Sequence, residues 1–121
     1  MIDHVTLTVR DFKKSKEFYE KVLRTLGMKV LMGEEGVYCG FGKEKAYFWI
    51  AVSDESHPIS KSVHLAFSAE SRNLVDEFYK AALAAGGKDN GAPGIRKEYS
   101  PDYYAAFVLD LDGNNIEAVN G

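Results

Sequence analysis

The chain reads EFYEKVL at residues 17–23 and EFYKAAL at residues 77–83. Sliding the sequence by sixty positions aligns Glu17, Phe18 and Tyr19 with Glu77, Phe78 and Tyr79, and also His4 with His64, Leu23 with Leu83 and Gly27 with Gly87. Six identities over the twenty-four positions from 4 to 27 exceed the roughly one or two that unrelated sequence gives. A supersecondary unit that occurs twice is the physical reading. Between Asp11 and Gly27, and between Ser71 and Gly87, apolar residues recur at helical spacing. Asp and Ser are N-cap residues, and Gly accepts the left-handed conformation that ends a helix. The Phe-Tyr pairs therefore read as the packing face of a helix laid on a sheet.

Working outward, each helix is preceded by an alternating stretch, IDHVTLTV at 2–9 and SVHLAFSA at 62–69. Alternation of apolar and small or polar residues marks a strand with one covered face. Val5, Leu7 and Val9 share the face under the first helix, and Val63, Leu65 and Phe67 the face under the second. His4 and His64 then point to the opposite side. Three further strands follow each helix, at about 28–32, 36–42 and 46–52, and at about 95–99, 103–110 and 115–120. The last hairpin turns at DLDGNN, where Asp112-Gly113 is a tight-turn signal. KDNGAPGIRKEYSP at 88–101 reads as a Gly- and Pro-rich loop, either a lid or a connection. The fold class is α+β: one domain of two βαβββ modules, residues 1–53 and 62–121, joined by a polar linker at 54–61. The modules are expected to form a cupped, partly open mixed β-barrel with helices outside.

Composition bounds the function. With 45% hydrophobic and 27% charged residues in a chain of 121, a single globular core is affordable without disulfides. The net charge of −3 and scattered basic residues exclude the electrostatic footprint of nucleic-acid binding. No stretch has the length of a membrane span. The single cysteine, Cys39, and an N-terminus unlike a secretory signal point to the cytoplasm.

On the last strand Asn115, Glu117 and Val119 share a face. If the two modules close on one another, His4 and His64 from equivalent first strands meet Glu117 from a last strand. Two imidazoles and a carboxylate make a facial triad that leaves positions open on a metal. A strand histidine alone is more often merely hydrogen-bonded or exposed; its recurrence at the same place in the repeat is what favours ligation. Tyr47 and Trp49, together with Tyr104, are expected to line an aromatic substrate cup. Arg10 and Arg96 are candidates to meet an anionic group.

The stretches IDHVTLTVRDFKKSKEFYEKVL, SVHLAFSAES with VDEFYKAAL, and DYYAAFVLDLDGNNIEAV together resemble the vicinal oxygen chelate superfamily. That superfamily includes glyoxalase I, extradiol dioxygenases, fosfomycin resistance enzymes and bleomycin resistance proteins. The resemblance spans essentially the whole chain and implies paired βαβββ modules around one divalent ion (Fe, Mn, Ni, Zn or Co), with ligands at His4, His64 and Glu117. It implies a homodimer acting on a small molecule chelated through adjacent oxygens, with the site either within one chain or shared between two. Tyr104 is the expected proton donor. Where glyoxalase I has a fourth, glutamate ligand, the register places Trp49, which neither ligates a metal nor abstracts a proton. A non-catalytic protein that sequesters an aromatic drug or metabolite, as bleomycin resistance proteins do, is the alternative reading.

Overall fold

Asp11 Oδ1 accepts the Lys14 backbone N–H at 3.0 Å and Ser71 Oγ accepts that of Leu74 at 3.2 Å, so both expected caps open their helices. The computed structural model describes Met1–Gly121. Its first unit runs β1 (Val5–Val9), α1 (Phe12–Arg24), β2 (Lys29–Glu34), β3 (Tyr38–Gly42) and β4 (Ala46–Val52). The second runs β5 (His64–Ser68), α2 (Arg72–Ala84), β6 (Lys88–Ile95), β7 (Tyr104–Leu109) and β8 (Asn115–Asn120). Each unit makes its own four-stranded sheet, ordered β1-β4-β3-β2 and β5-β8-β7-β6. In each, the first strand runs parallel to the last and the other pairs are antiparallel. The two mixed sheets do not close into a barrel.

The repeated aromatic pair is core. Phe18, Tyr19 and Phe78 are buried, and full burial of one such side chain is worth about 1.5–3 kcal/mol. Tyr19 packs on Phe48 of β4 at 4.9 Å between ring centroids, and Phe48 meets Phe67 of β5 edge-on at 5.4 Å. One apolar cluster of 21 residues thereby runs through both units. Cys39 lies in it, its thiol pushed up to about 11 chiefly by burial, which makes it a packing residue.

Hydrogen bonds tie the units together as well. Tyr19 on α1 donates to Asp110 Oδ2 at 2.5 Å. Ser60 in the linker exchanges bonds with Thr8 of β1, and Asn114 bridges Ser60 O and Val63 N. Asp110 Oδ1 also accepts the backbone N–H groups of Asp112 and Asn114, both at 2.9 Å, and Gly113 takes φ +88°. That is the tight turn expected at DLDGNN.

Two expectations need correction. The left-handed residue after α2 is Gly86, at φ +104°, and not Gly87. Gly87 is glycine for want of room, since a Cβ there would stand 2.9 Å from Ala82 O and 3.0 Å from Leu109 O. The strand expected at about 95–99 lies instead at Lys88–Ile95, inside the stretch read as a loop. β6 is the edge of its sheet and its register slips between Asp89 and Gly91 and again between Gly91 and Gly94. Edge position and bulges are where a strand accommodates Pro93 and its glycines, so turn-forming composition concealed a real strand. The connection proper, from 96 to 103, closes on itself through Arg96 N–H to Tyr103 O at 2.7 Å.

Candidate metal centre

Strand pairing determines which side chains meet. In the β5–β8 pair Ala66 stands beside Glu117 and His64 beside Asn115, while in β7–β8 Phe107 is opposite Glu117, and in β6–β7 Gly91 is opposite Phe107. Laterally paired residues share a face. Gly91, Phe107, Glu117 and Ala66 therefore form one row across the second sheet, on the side away from α2. His64 Nε2 lies 3.0 Å from Glu117 Oε1. Tyr103, just ahead of β7, donates its hydroxyl to Glu117 Oε2 at 2.5 Å. Glu117 is only 2% exposed although it faces away from the helix, whereas the His64 side chain is half exposed.

The remaining expected residues are dispersed. His4 stands one residue before β1, exposed, with Nδ1 at 2.8 Å from Asp3 Oδ1. It and Tyr47 border an open cavity of about 710 Å³ between the units, with Phe48 and Phe67 among its lining. No third His, Cys, Asp or Glu joins His64 and Glu117 within the chain. Trp49 pairs with Thr6 and with Gly40, and its indole covers Gly40 so closely that a Cβ there would stand 2.9 Å from the ring. Tyr38 lies 6.1 Å from Trp49. Arg10 is committed to the β7–β8 turn, with Nε 3.8 Å from Asp112 Oδ1 and its backbone N–H on Oδ2.

Tyr104 is not on the Glu117 face. Its hydroxyl donates to Asp76 Oδ1 on α2 at 2.6 Å, and Ala106 and Val108, which alternate with it, are fully buried in the core. The residues that do flank Glu117 are Tyr103 and Phe107. The turn carries the signal that would have found them: Leu109 and Asn115 close it, so counting back in pairs brings Phe107, and not Tyr104 or Ala106, opposite Glu117.

A family profile described as Glyoxalase/Bleomycin resistance protein/Dioxygenase superfamily matches residues 1–118. The chain belongs to this superfamily. It is 30% identical to a glyoxalase/bleomycin resistance protein from Albidiferax ferrireducens, with 97% of this chain and 96% of that one covered and a TM-score of 0.86. The fold is shared with a lactoylglutathione lyase from Agrobacterium tumefaciens, at 20% identity, 100% and 93% coverage and TM-score 0.73. It is shared too with a mutant fosfomycin resistance protein from Listeria monocytogenes complexed with Mn(II) and a dihydroxypropylphosphonic acid, at 19% identity, 100% and 90% coverage and TM-score 0.71.

In this superfamily chain the donor chemistry of the His64–Glu117 pair suits a divalent cation. His64 Nδ1 is 3.1 Å from the Asn115 carbonyl oxygen, which can only accept, so that nitrogen carries the hydrogen. Nε2 then faces a carboxylate oxygen, and only a proton or a cation between them makes the contact favourable. Ligand bonds of about 2.0–2.2 Å around a six-coordinate ion put neighbouring donors about 3 Å apart. A backbone carbonyl behind the imidazole is the usual orienting partner of a metal-bound histidine. Asn115, the register partner of His64, also holds the buried side-chain oxygen that has no hydrogen-bond partner, Oδ1. The Tyr103 phenol is pushed up to about 12, chiefly by its hydrogen bond to Glu117, so it stays a donor to the carboxylate at neutral pH.

Proposed function

We propose that this chain is a metal-dependent enzyme of the glyoxalase and dioxygenase type, acting on a small substrate chelated through adjacent oxygens. The observation that carries the reading is the 3.0 Å contact between His64 Nε2 and Glu117 Oε1, with Nδ1 already committed to a carbonyl. His64 and Glu117 would hold the ion, and His4 of a second copy would complete the trio in a homodimer. Sharing between copies is supported by the absence of a third donor beside His64 and Glu117 within one chain and by the two sheets remaining separate and not closing into a barrel. A bound ion of the Fe, Mn, Ni, Zn or Co class would stabilise negative charge developing on the chelated oxygens. The Mn(II) in the Listeria neighbour supports that class of ion.

This chain's own residues would do the rest. Tyr103 holds one carboxylate oxygen of Glu117 so that the other stays aimed at His64. Tyr103 takes the place first given to Tyr104 as the phenol at the site. Trp49 and Tyr47 on the first sheet would offer an apolar wall to the substrate, and the single buried cysteine is in keeping with a cytoplasmic protein. The direct test is elemental analysis of protein prepared without metal-affinity chromatography, alongside His64→Ala. Negligible metal in both preparations overturns the proposal.

A second reading, sequestration of a flat aromatic ligand without catalysis, is favoured by one observation: Trp49 and Tyr38 make an aromatic platform above Gly40. Trp49 is the only tryptophan, so its fluorescence on ligand addition checks this reading directly. Unchanged emission with every ligand that raises the melting temperature counts against it.

A further inference from the structure

The strip of the second sheet next to Phe107 is bare, because β6 supplies Gly91 opposite Phe107 and Gly94 opposite Ala105. Arg96 folds back over that strip. A Cβ on Gly91 would stand 3.2 Å from Arg96 Nη2 and 2.9 Å from the Phe107 ring, and one on Gly94 would stand 3.1 Å from Nη1. A Cβ at either place would press on the guanidinium, which would have to shift by a few tenths of an ångström. The guanidinium carbon sits 5.3 Å from the centroid of Phe107, the same ring on which His64 stacks at 6.2 Å and 26°. Nη2 donates to the Ala92 carbonyl at 2.6 Å. Arg96 forms no ion pair, although Arg10 and three lysines do.

These facts describe a preorganised fork. A planar guanidinium has five N–H donors, and a ring beneath it and one carbonyl beside it fix its orientation while leaving most of those donors free. Its charge is uncompensated on a face where Glu117 supplies the bonded carboxylate. Bidentate recognition of a carboxylate or a phosphate-type oxyanion is the chemistry that such a fork serves.

We infer that Arg96 selects the substrate class: the small molecule carries, beyond the oxygens that chelate, a carboxylate or phosphate-type oxyanion that docks on the Arg96 guanidinium over Phe107. The inference rests on the proposed metal centre only for where the chelating end of that molecule lies.

The test titrates full-length protein with phenylphosphonate, benzoate and neutral benzyl alcohol, by calorimetry and by the NMR signal of the Arg96 side-chain Nε–H, with metal content measured on the same samples. Arg96→Met should weaken an anionic probe about ten- to a hundredfold, the worth of a charged hydrogen-bonded contact. It should leave benzyl alcohol, metal content and melting temperature unchanged. Arg96→Lys should fall between the two, and Lys97→Met should have little effect. The probe with the larger dependence on Arg96 identifies the oxyanion as carboxylate or phosphate-type. Equal affinities in wild type and Arg96→Met overturn the inference, as does equal weakening of benzyl alcohol. A changed sedimentation mass in Arg96→Met also overturns it, because the guanidinium would then serve a partner's carboxylate. If the protein holds no metal yet anion binding depends on Arg96, the metal reading falls and this one stands; intact metal with anion binding indifferent to Arg96 gives the reverse.

Discussion

His64 gives one ring nitrogen to the Asn115 carbonyl at 3.1 Å and turns the other to Glu117 Oε1 at 3.0 Å. β5 and β8 are parallel neighbours with His64 beside Asn115 and Ala66 beside Glu117, so two residues fifty-three apart in sequence meet by pairing alone. The small side chain of Ala66 leaves the carboxylate room on its own face. A metal that binds the folded state and not the unfolded one stabilises it by about 2.7 kcal/mol at a hundred times its dissociation constant. Thermal unfolding with added Mn(II) or Zn(II), and again with a chelator, should therefore show a metal-dependent rise in Tm for the wild type. Glu117→Gln and His64→Ala should each remove most of that rise. An undiminished rise in both variants would place any metal elsewhere.

Tyr103→Phe leaves Glu117 Oε2 buried without its donor, at a cost of about 1–3 kcal/mol. It should also weaken metal about ten- to a hundredfold, as loss of an orienting partner does. Calorimetric metal titration of the variant checks this, and metal affinity equal to wild type would reduce Tyr103 to a structural contact.

The same bond has a signature in alkali. The folded Tyr103 pKa, about 12, lies above the ordinary 10.0, first because of the hydrogen bond to Glu117 and then because of burial. Its contribution is therefore fully present below about pH 10 and lost as pH rises toward about pH 12. Urea unfolding of wild type and Tyr103→Phe should show the stability difference between them shrinking across that window. A difference that stays constant there would mean that the proton on Tyr103 is not what holds the contact.

Legibility followed the strength of periodicity. The helices and their N-terminal caps could be read because helical spacing, Asp11, Ser71 and the sixty-residue offset all agree. The faces of β1 and β5 could be read because alternation of covered and uncovered residues is a property of the strand itself. β6 could not, since its glycines and Pro93 are turn-formers that an edge strand tolerates. Tyr104 was misplaced for a different reason: which residue of β7 lies beside Glu117 depends on the length of the turn, and a slip of one residue exchanges the faces. The separation of His4 from His64 and Glu117 was beyond reach, because strand patterns say which way a side chain points and not how two sheets are set against one another.

Tyr19→Phe tests the tie between the units. Tyr19 OH donates to Asp110 Oδ2, and that carboxylate also takes the Asn114 side chain and two backbone N–H groups of its own turn. Losing the phenol removes one of several donors to a buried charge, so the variant should be less stable by about 1.5–3 kcal/mol. Urea unfolding should give a lower midpoint and an unchanged slope, because both units share one apolar cluster and unfold together. A broadened or two-step transition would show instead that this bond is what couples the units.

Mixing two crippled chains decides how the three expected ligands assemble. His4→Ala keeps His64 and Glu117, and Glu117→Gln keeps His4. If each centre draws His4 from one copy and the pair from the other, a mixed dimer has one intact centre and one lacking both His4 and Glu117. Random re-pairing of equal amounts makes half of the dimers mixed, so the mixture should regain about a quarter of the wild-type metal capacity. Neither variant alone should hold appreciable metal. The assay is refolding of the two chains together, followed by equilibrium dialysis against Zn(II). Recovery near that fraction supports a centre shared between copies. Its absence, in samples whose sedimentation shows that mixed dimers have formed, would mean that His4 is not a ligand across the interface.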